Sequence, residues 1–155
     1  LGTESLKLFD PVPLMTHFIN QVQGLKPYTN TLNTILAELY SNALEHGLLG
    51  LDSSLKNSAQ GFARYYALRH ERLLALTEGS IKFEMAHEPS EQGGRLILQV
   101  TDSGEGFVIP TAQKQLGAIS NYHGRGIRLI ETLCQRLEFL PPGNSVIVEF
   151  DWKWL

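Results

Sequence analysis

The sequence has little cysteine and no long apolar run. Its 155 residues include one cysteine, Cys134, so no disulfide can form within the chain. Cys134 sits at helical spacing among leucine and isoleucine residues, and we interpret it as a small buried apolar side chain. No apolar run approaches the roughly 18 residues that a membrane-spanning helix needs. We therefore expect a protein of the reducing cytoplasm with no membrane partner.

An excess of basic residues is also missing. The chain has 13 Lys and Arg against 16 Asp and Glu, with a net charge of -3 and a pI near 5.9. General nucleic-acid binders are usually basic, so we expect no nucleic-acid partner. Hydrophobic residues make up 43% and charged residues 19%, which is typical of one globular domain, here residues 1–155. Because the chain begins with Leu1, we expect it to be a segment of a longer polypeptide.

Three common catalytic signatures do not occur. The sequence contains no G-x-x-x-x-G-K-[ST] loop, no H-E-x-x-H helix motif and no G-x-S-x-G elbow. The chemistries that depend on them therefore have no local support.

The period of the apolar residues divides the chain into helices first and strands later. This order predicts an α+β fold, a two-layer α/β sandwich with helices on one face of a sheet. The first half of the chain is expected to hold an edge strand at 5–9, a helix at 14–25, a helix from Thr29 or Asn30 to His46 that stops at Gly47, and a helical insertion at about 48–79. The second half is expected to hold a hairpin around "SEQGG", a helix from about Gly124 to Leu137 and a final strand at 146–154. His87 lies at the end of the hairpin, where we expect it to be solvated.

The helix containing "LAELYSNALEHG", residues 36 to 47, carries polar residues four apart: Glu38, Asn42 and His46. Residues at this spacing are rotated by about 40°, so they form a half-buried polar row beside the apolar stripe. Three interpretations stay open: a solvated helix edge, a transition-metal site, or a phosphate and Mg²⁺ site. Asn is a poor ligand for soft metals but offers Mg²⁺ a hard oxygen, and Glu can orient a hydroxyl for attack.

Two glycine-rich segments follow. "DSGEG" comes directly after a predicted strand, where Asp102 is an acceptor for an exocyclic amino proton and Gly104 and Gly106 allow close approach of a ligand. The same letters are also ordinary turn chemistry.

"HGRGI", His123 to Ile127, opens a predicted helix whose free amides can bind an anion. Arg125 can pair with a phosphate there, and a flexible loop with an incidental Arg is the alternative. The order of the three motifs points to one shared ligand, an adenine nucleotide with Mg²⁺.

With these motifs the chain resembles the GHKL superfamily of ATP-binding domains, which has the Bergerat fold. "ELYSNALEH" resembles its N box, "DSGEGF" its G1 box and "GRGIRLI" its G2 box, and the resemblance covers about residues 10 to 153. It implies a mixed, mostly antiparallel sheet covered by helices on one face. Within the superfamily the chain looks most like the bacterial anti-sigma-factor serine/threonine kinases. Its insertion is similar to that of domains fused to receiver and PP2C-type phosphatase domains.

The resemblance implies a kinase that uses ATP and Mg²⁺ to phosphorylate a STAS-type anti-anti-sigma factor, with a sigma or anti-sigma factor as a further partner and a homodimer as one assembly. A module that only sequesters its partner, tuned by nucleotide, is the alternative, and a histidine-kinase ATP domain ranks third. The basic residue often found before "GRG" is absent, and Arg125 or Lys114 is a candidate substitute. The implied roles are base for Glu38, Mg²⁺ ligand for Asn42, adenine reading for Asp102, loop shape for Gly104 and Gly106, and lid glycines at the phosphates for Gly124 and Gly126. His123 and Arg125 beside them are further candidates for binding the nucleotide, and His46 has no assigned role.

Overall fold

The structure is a computed structural model that describes residues 1–106 and 125–155, with the backbone alone for residue 125. Four strands form one sheet in the order β1-β2-β4-β3, and every neighbouring pair is antiparallel. The strands are β1 (Ile81–Ser90), β2 (Gly93–Asp102), β3 (Arg136–Leu140) and β4 (Ser145–Lys153). The predicted α+β class is confirmed, and the part of the sheet that is described is antiparallel throughout rather than mixed.

Five α-helices accompany the sheet in the described ranges. The helices are α1 (Thr3–Leu8), α2 (Val12–Ile19), α3 (Thr29–Ser41), α4 (Ala59–Ala75) and α5 (Arg125–Leu133), with short 3-10 segments at Lys26–Tyr28 and Ser53–Asn57. Helix α3 packs against α2 and α5, and it continues without a break into a π-helix, Asn42–Leu48, that contacts β2. None of these helices has the length and apolar character to cross a bilayer.

The core lies between α3 and one face of the sheet. Alternate residues of β2 and β4 are buried because successive side chains of a strand point to opposite faces. The opposite face carries ion pairs, such as Arg95 with Asp151 and Arg136 with Glu149. The described elements therefore form two layers. The core residues of α3 and the two central strands are Leu32, Ile35, Leu36, Leu39, Leu96, Leu98, Val100, Val146, Val148, Phe150 and Trp152.

Four predicted elements were wrong in type or extent. The helix predicted at 14–25 spans Val12–Ile19, so its end comes six residues earlier. Residues 5–9 belong to helix α1 and its end, not to an edge strand, and Leu6 is the one residue of this helix that is buried. Gly47 does not end a helix but lies within the π-helix. The helix predicted to reach Leu137 ends at Leu133, and Leu137 belongs to β3. Leu137 follows Leu133 by four residues, which is a helical spacing and led to the wrong prediction. Leu137 and Phe139 are two residues apart and lie on the same face of β3, which is the period of a strand.

His87 was expected to be solvated, and this was wrong. Its ring stacks on Trp152 with centroids 5.7 Å apart, and its Nε2 accepts a hydrogen bond from the indole N–H at 3.1 Å. The pairing of β1, β2 and β4 brings these distant residues together. The contact thus fixes the outer end of the hairpin to the last strand.

Candidate functional site

A cavity of about 370 Å³ opens beside the π-helix, the end of β2 and the turn between β3 and β4. Asn42 and His46 line it from the π-helix, and Asp102 with Gly104 lines it from the segment after β2. Volumes of this order are typical of small-molecule sites. The apolar lining consists of Leu39, Ala43, Leu48, Leu49, Val100, Phe139 and Val146.

Asp102 is a buried carboxylic acid at the end of β2, with 7% of its surface exposed. Its Oδ1 accepts a hydrogen bond from the Gly104 amide at 2.8 Å. Burial raises the pKa of Asp102 to about 6, although the Gly104 amide acts in the opposite direction. Above pH 6 the group is therefore a poorly solvated carboxylate, and a donor from a ligand would stabilise it.

Glycines allow three chain segments to meet at Asp102. A Cβ on Gly47 would overlap the Asp102 carboxyl group, and a Cβ on Gly104 would overlap the carbonyl oxygen of Gly47. Gly106 has a φ of +79°, a left-handed conformation that favours glycine. Gly47 was predicted only as a helix stop; its role is to leave space for the carboxyl group, which sequence spacing could not indicate.

Asn144 holds the end of β2 from the other side. Its Nδ2 donates to the carbonyl oxygen of Asp102 at 2.7 Å, and the Asp102 amide donates to the carbonyl oxygen of Asn144 at 2.9 Å. Asn144 was not among the predicted site residues, because it meets Asp102 only through the pairing of β2 with β4. The one available signal was its place in the "PPGN" turn before a strand.

Asn42 carries an unsatisfied polar atom beside this cavity. Its Oδ1 is buried and has no hydrogen-bond partner among the described residues. Buried acceptors are nearly always paired, and an unpaired one costs stability. An amide oxygen is a hard ligand that Mg²⁺ accepts, and Mg²⁺ often takes only one or two protein ligands beside substrate phosphates. Asn42 therefore fits the predicted ligand role.

Glu38 lies one helical turn before Asn42 but outside the lining of the cavity. It faces the start of α5, where a Cβ on Gly126 would overlap its carboxylate. Burial raises the pKa of Glu38, with a smaller raising effect from Glu45, while Lys56 lowers it. A carboxylate with raised proton affinity is a better general base than an ordinary exposed glutamate.

His46 has a structural contact as well as a place in the cavity wall. Its Nδ1 lies 2.7 Å from the carbonyl oxygen of Leu51. A carbonyl oxygen only accepts hydrogen bonds, so Nδ1 carries the proton. His46 thereby ties the end of the π-helix to the segment that follows it, which accounts for an imidazole at this position without a catalytic role.

The structure brings Asn42, Asp102, Gly104 and Gly106 to one cavity and places Glu38 against Gly126 next to it. The predictions for His123, Gly124 and the Arg125 side chain, and the substitute Lys114, lie outside the described residues. No protein-family model, curated protein or solved structure matches the chain.

Proposed function

We propose that this chain is an ATP-binding domain of the GHKL type, with the Bergerat fold, and acts as a Mg²⁺-dependent protein serine/threonine kinase of the anti-sigma-factor kind. Its protein substrate is a STAS-type anti-anti-sigma factor. The observation that carries this proposal is that two residues line the same cavity: Asp102, whose carboxyl group is desolvated, and Asn42, whose buried Oδ1 has no partner among the described residues. These are the two chemistries that an adenine amino group and a phosphate-bound cation require.

At the base end of the cavity, Asp102 acts as an acceptor. An ionised carboxylate takes a hydrogen bond from an exocyclic amino group, and the low-dielectric surroundings strengthen that bond. Gly47 and Gly104 have no side chains, so backbone approaches this carboxyl group closely. Val100, Phe139 and Val146 supply apolar surface for a flat ring.

At the phosphate end, Asn42 offers an oxygen to Mg²⁺, which would neutralise charge on the transferred phosphoryl group. Glu38 takes the proton of the partner's serine or threonine hydroxyl. In that step a bond forms between the hydroxyl oxygen and the γ-phosphorus, the β–γ bridging bond breaks, and ADP leaves. The start of α5 lies beside Glu38, and a helix N-terminus favours an anion.

Titration calorimetry with ATP and ADP, with and without Mg²⁺, tests the nucleotide site. We expect binding that Mg²⁺ strengthens, and Asn42→Ala should abolish that Mg²⁺ effect while leaving residual nucleotide affinity. The control is Asn30→Ala, the same substitution at an exposed position of α3. A wild-type chain that binds neither nucleotide refutes the proposal.

Transfer of label from ATP to a STAS protein tests the kinase step itself. The position of Glu38 outside the cavity lining favours an alternative, a module that sequesters its partner and only senses nucleotide. The variant Glu38→Gln separates the two functions. A kinase should lose at least about a hundredfold in transfer rate and keep its nucleotide affinity, in line with the loss of a general base. Regulation of the partner that survives this change supports the alternative.

A further inference from the structure

Helix α4 of the insertion is attached to the rest of the chain in an unusual way. It has 17 residues, and its one buried residue is Tyr65, whose exposed fraction is 0%. Its main contacts are with the 3-10 segment Ser53–Asn57 and, more sparsely, with α1. Its exposed side carries Phe62 and Tyr66, which pack on each other with ring centroids 4.9 Å apart. Tyr65 is therefore the buried anchor of this helix, and Arg72 adds hydrogen bonds to the carbonyl oxygens of Leu49 and Gly50.

Tyr65 is anchored to a buried charge. Its hydroxyl donates to Oε1 of Glu45 at 2.8 Å, and Glu45 is 5% exposed. The hydroxyl of Ser41 donates to the other carboxylate oxygen. Lys56 and Arg69 place nitrogens 3.8 Å and 3.9 Å from the same carboxylate. We call Ser41, Glu45, Lys56, Tyr65 and Arg69 the Glu45 cluster; three of its members come from the insertion.

The Glu45 cluster includes residues of the π-helix and of the helical turn before it, the segment that also carries Asn42. Glu45 lies within the π-helix, and its other partner, Ser41, is the residue before Asn42. Segments of π-helix are rare, and they occur where a local distortion of an α-helix serves a site. A buried carboxylate must keep its partners, because an unpaired buried charge is costly. The shape of the π-helix is therefore linked to the presence of Tyr65.

We propose that Tyr65 is a positioning residue that acts through Glu45: it holds the π-helix in the form that presents Asn42 to the cavity, so the docking of α4 regulates the nucleotide site. The identity of the ligand rests on the proposed function, whereas the link between α4 and the π-helix does not. Coupling between two sites is reciprocal. Nucleotide bound in the cavity should therefore strengthen the docking of α4.

Amide hydrogen exchange tests the link without any ligand. The variant Tyr65→Phe removes one hydroxyl and keeps the ring. We expect the amides of Asn42–Leu48 to exchange at least about fivefold faster in this variant, since the π-helix loses a support. The matched control is Tyr66→Phe, one residue along the same helix at a position that is 45% exposed, and it should leave these amides unchanged. Unchanged exchange of Asn42–Leu48 in Tyr65→Phe overturns the inference.

Nucleotide affinity gives the second readout. Calorimetry with ADP and Mg²⁺ should show a loss of roughly fivefold or more in Tyr65→Phe, the lower end of usual coupling between sites, and no loss in Tyr66→Phe. In the wild type, saturating ADP and Mg²⁺ should slow exchange in α4. Equal affinity in the two variants overturns the regulatory claim.

The two proposals fail in different ways. If the wild type binds no nucleotide but Tyr65→Phe still speeds exchange in Asn42–Leu48, the ligand assignment falls and the mechanical link stands. If Tyr65→Phe does not fold, Glu45→Met replaces it, because Met is unbranched and of similar length but has no carboxylate to accept the hydrogen bond of Tyr65. The same faster exchange and weaker binding are then expected, and their absence refutes the proposal.

Discussion

Asp102→Asn should change stability and ligand binding in opposite directions. The pKa of Asp102 is raised from 3.8 to about 6 in the folded chain, so between these values the folded state binds more protons than the unfolded state. Stability then falls as the pH rises through this window, and the loss is complete above pH 6. Asn carries no charge and escapes this loss.

The size of the effect follows from the shift. A difference of about two pKa units corresponds to about 3 kcal/mol. Because the carboxyl group borders an open cavity, solvent screening reduces this, and we expect Asp102→Asn to gain about 1–2 kcal/mol at pH 8. At pH 4 the gain should nearly vanish. The Asn side-chain oxygen can still accept the Gly104 amide, so the local turn keeps its hydrogen bond.

Binding should respond the other way. Replacing the carboxylate removes a charge-assisted hydrogen bond worth about 1.5–3 kcal/mol, so nucleotide affinity should fall roughly tenfold to a hundredfold. Urea unfolding at pH 4 and pH 8 measures the first effect, and calorimetry measures the second. A variant that is less stable at pH 8, or that binds nucleotide as tightly as the wild type, refutes the reasoning.

Asp52 provides a control, because its pKa is shifted in the opposite direction to that of Asp102. Asp52 is exposed, and hydrogen bonds from Ser54 lower its pKa. A lowered pKa means that the ionised group stabilises the folded state at neutral pH, and that this contribution is lost as the pH falls through the folded pKa. Asp52→Asn should therefore destabilise the chain slightly at pH 8 and leave nucleotide affinity unchanged.

Substitutions at three further positions test the packing around the site. Gly47→Ala should push the Asp102 carboxyl group aside and weaken nucleotide binding at least about tenfold, measured by calorimetry, because a Cβ there overlaps that group. Gly126→Ala meets only the flexible end of Glu38, so urea unfolding should change by less than about 1 kcal/mol while label transfer from ATP falls. His46→Leu removes the donor to its carbonyl partner and should cost about 1 kcal/mol in urea unfolding, whereas His46→Asn should recover part of this.

Gly2→Ala is the matched control for both glycine substitutions. A Cβ at Gly2 meets no atom within 4 Å, and its backbone φ of -90° suits any residue. It should leave unfolding, binding and transfer unchanged. Transfer that survives Gly126→Ala at the control level would show that the position of Glu38 does not matter for the reaction.

The elements that the sequence predicted well depend on local patterns. The hairpin of β1 and β2 follows from period-two alternation around a glycine turn, and the end of β2 placed Asp102 correctly. Strand β3 was missed because it has only five residues and follows α5 within three positions, so its apolar residues extended the helical pattern. Short strands of this kind are decided by their partner, here β4, and not by their own residues.

The contacts that shape the site are nonlocal, and no spacing rule reveals them. Gly47 and Asp102 lie far apart in the sequence but contact each other in the fold. Asn144 reaches the carbonyl oxygen of Asp102 only because the sheet pairs their strands. The burial of Glu45 could not be predicted from the sequence either. On an ideal α-helix its neighbours in sequence gave no reason to expect burial, and its partners Tyr65 and Lys56 lie in the insertion.

The energetics of the Glu45 cluster separate a positioning role from simple anchoring. A buried ion pair is seldom the most stabilising choice, and apolar residues of similar volume often hold two helices together as well or better. Leucine at position 45 against phenylalanine at 65 would thus attach α4 without any hydrogen bond. A carboxylate with one hydroxyl on each side instead demands a fixed geometry, because both donors must reach it at once. In the role proposed for Tyr65, the π-helix meets this demand in the form that presents Asn42 to the cavity, so the docking of α4 and the position of Asn42 favour each other.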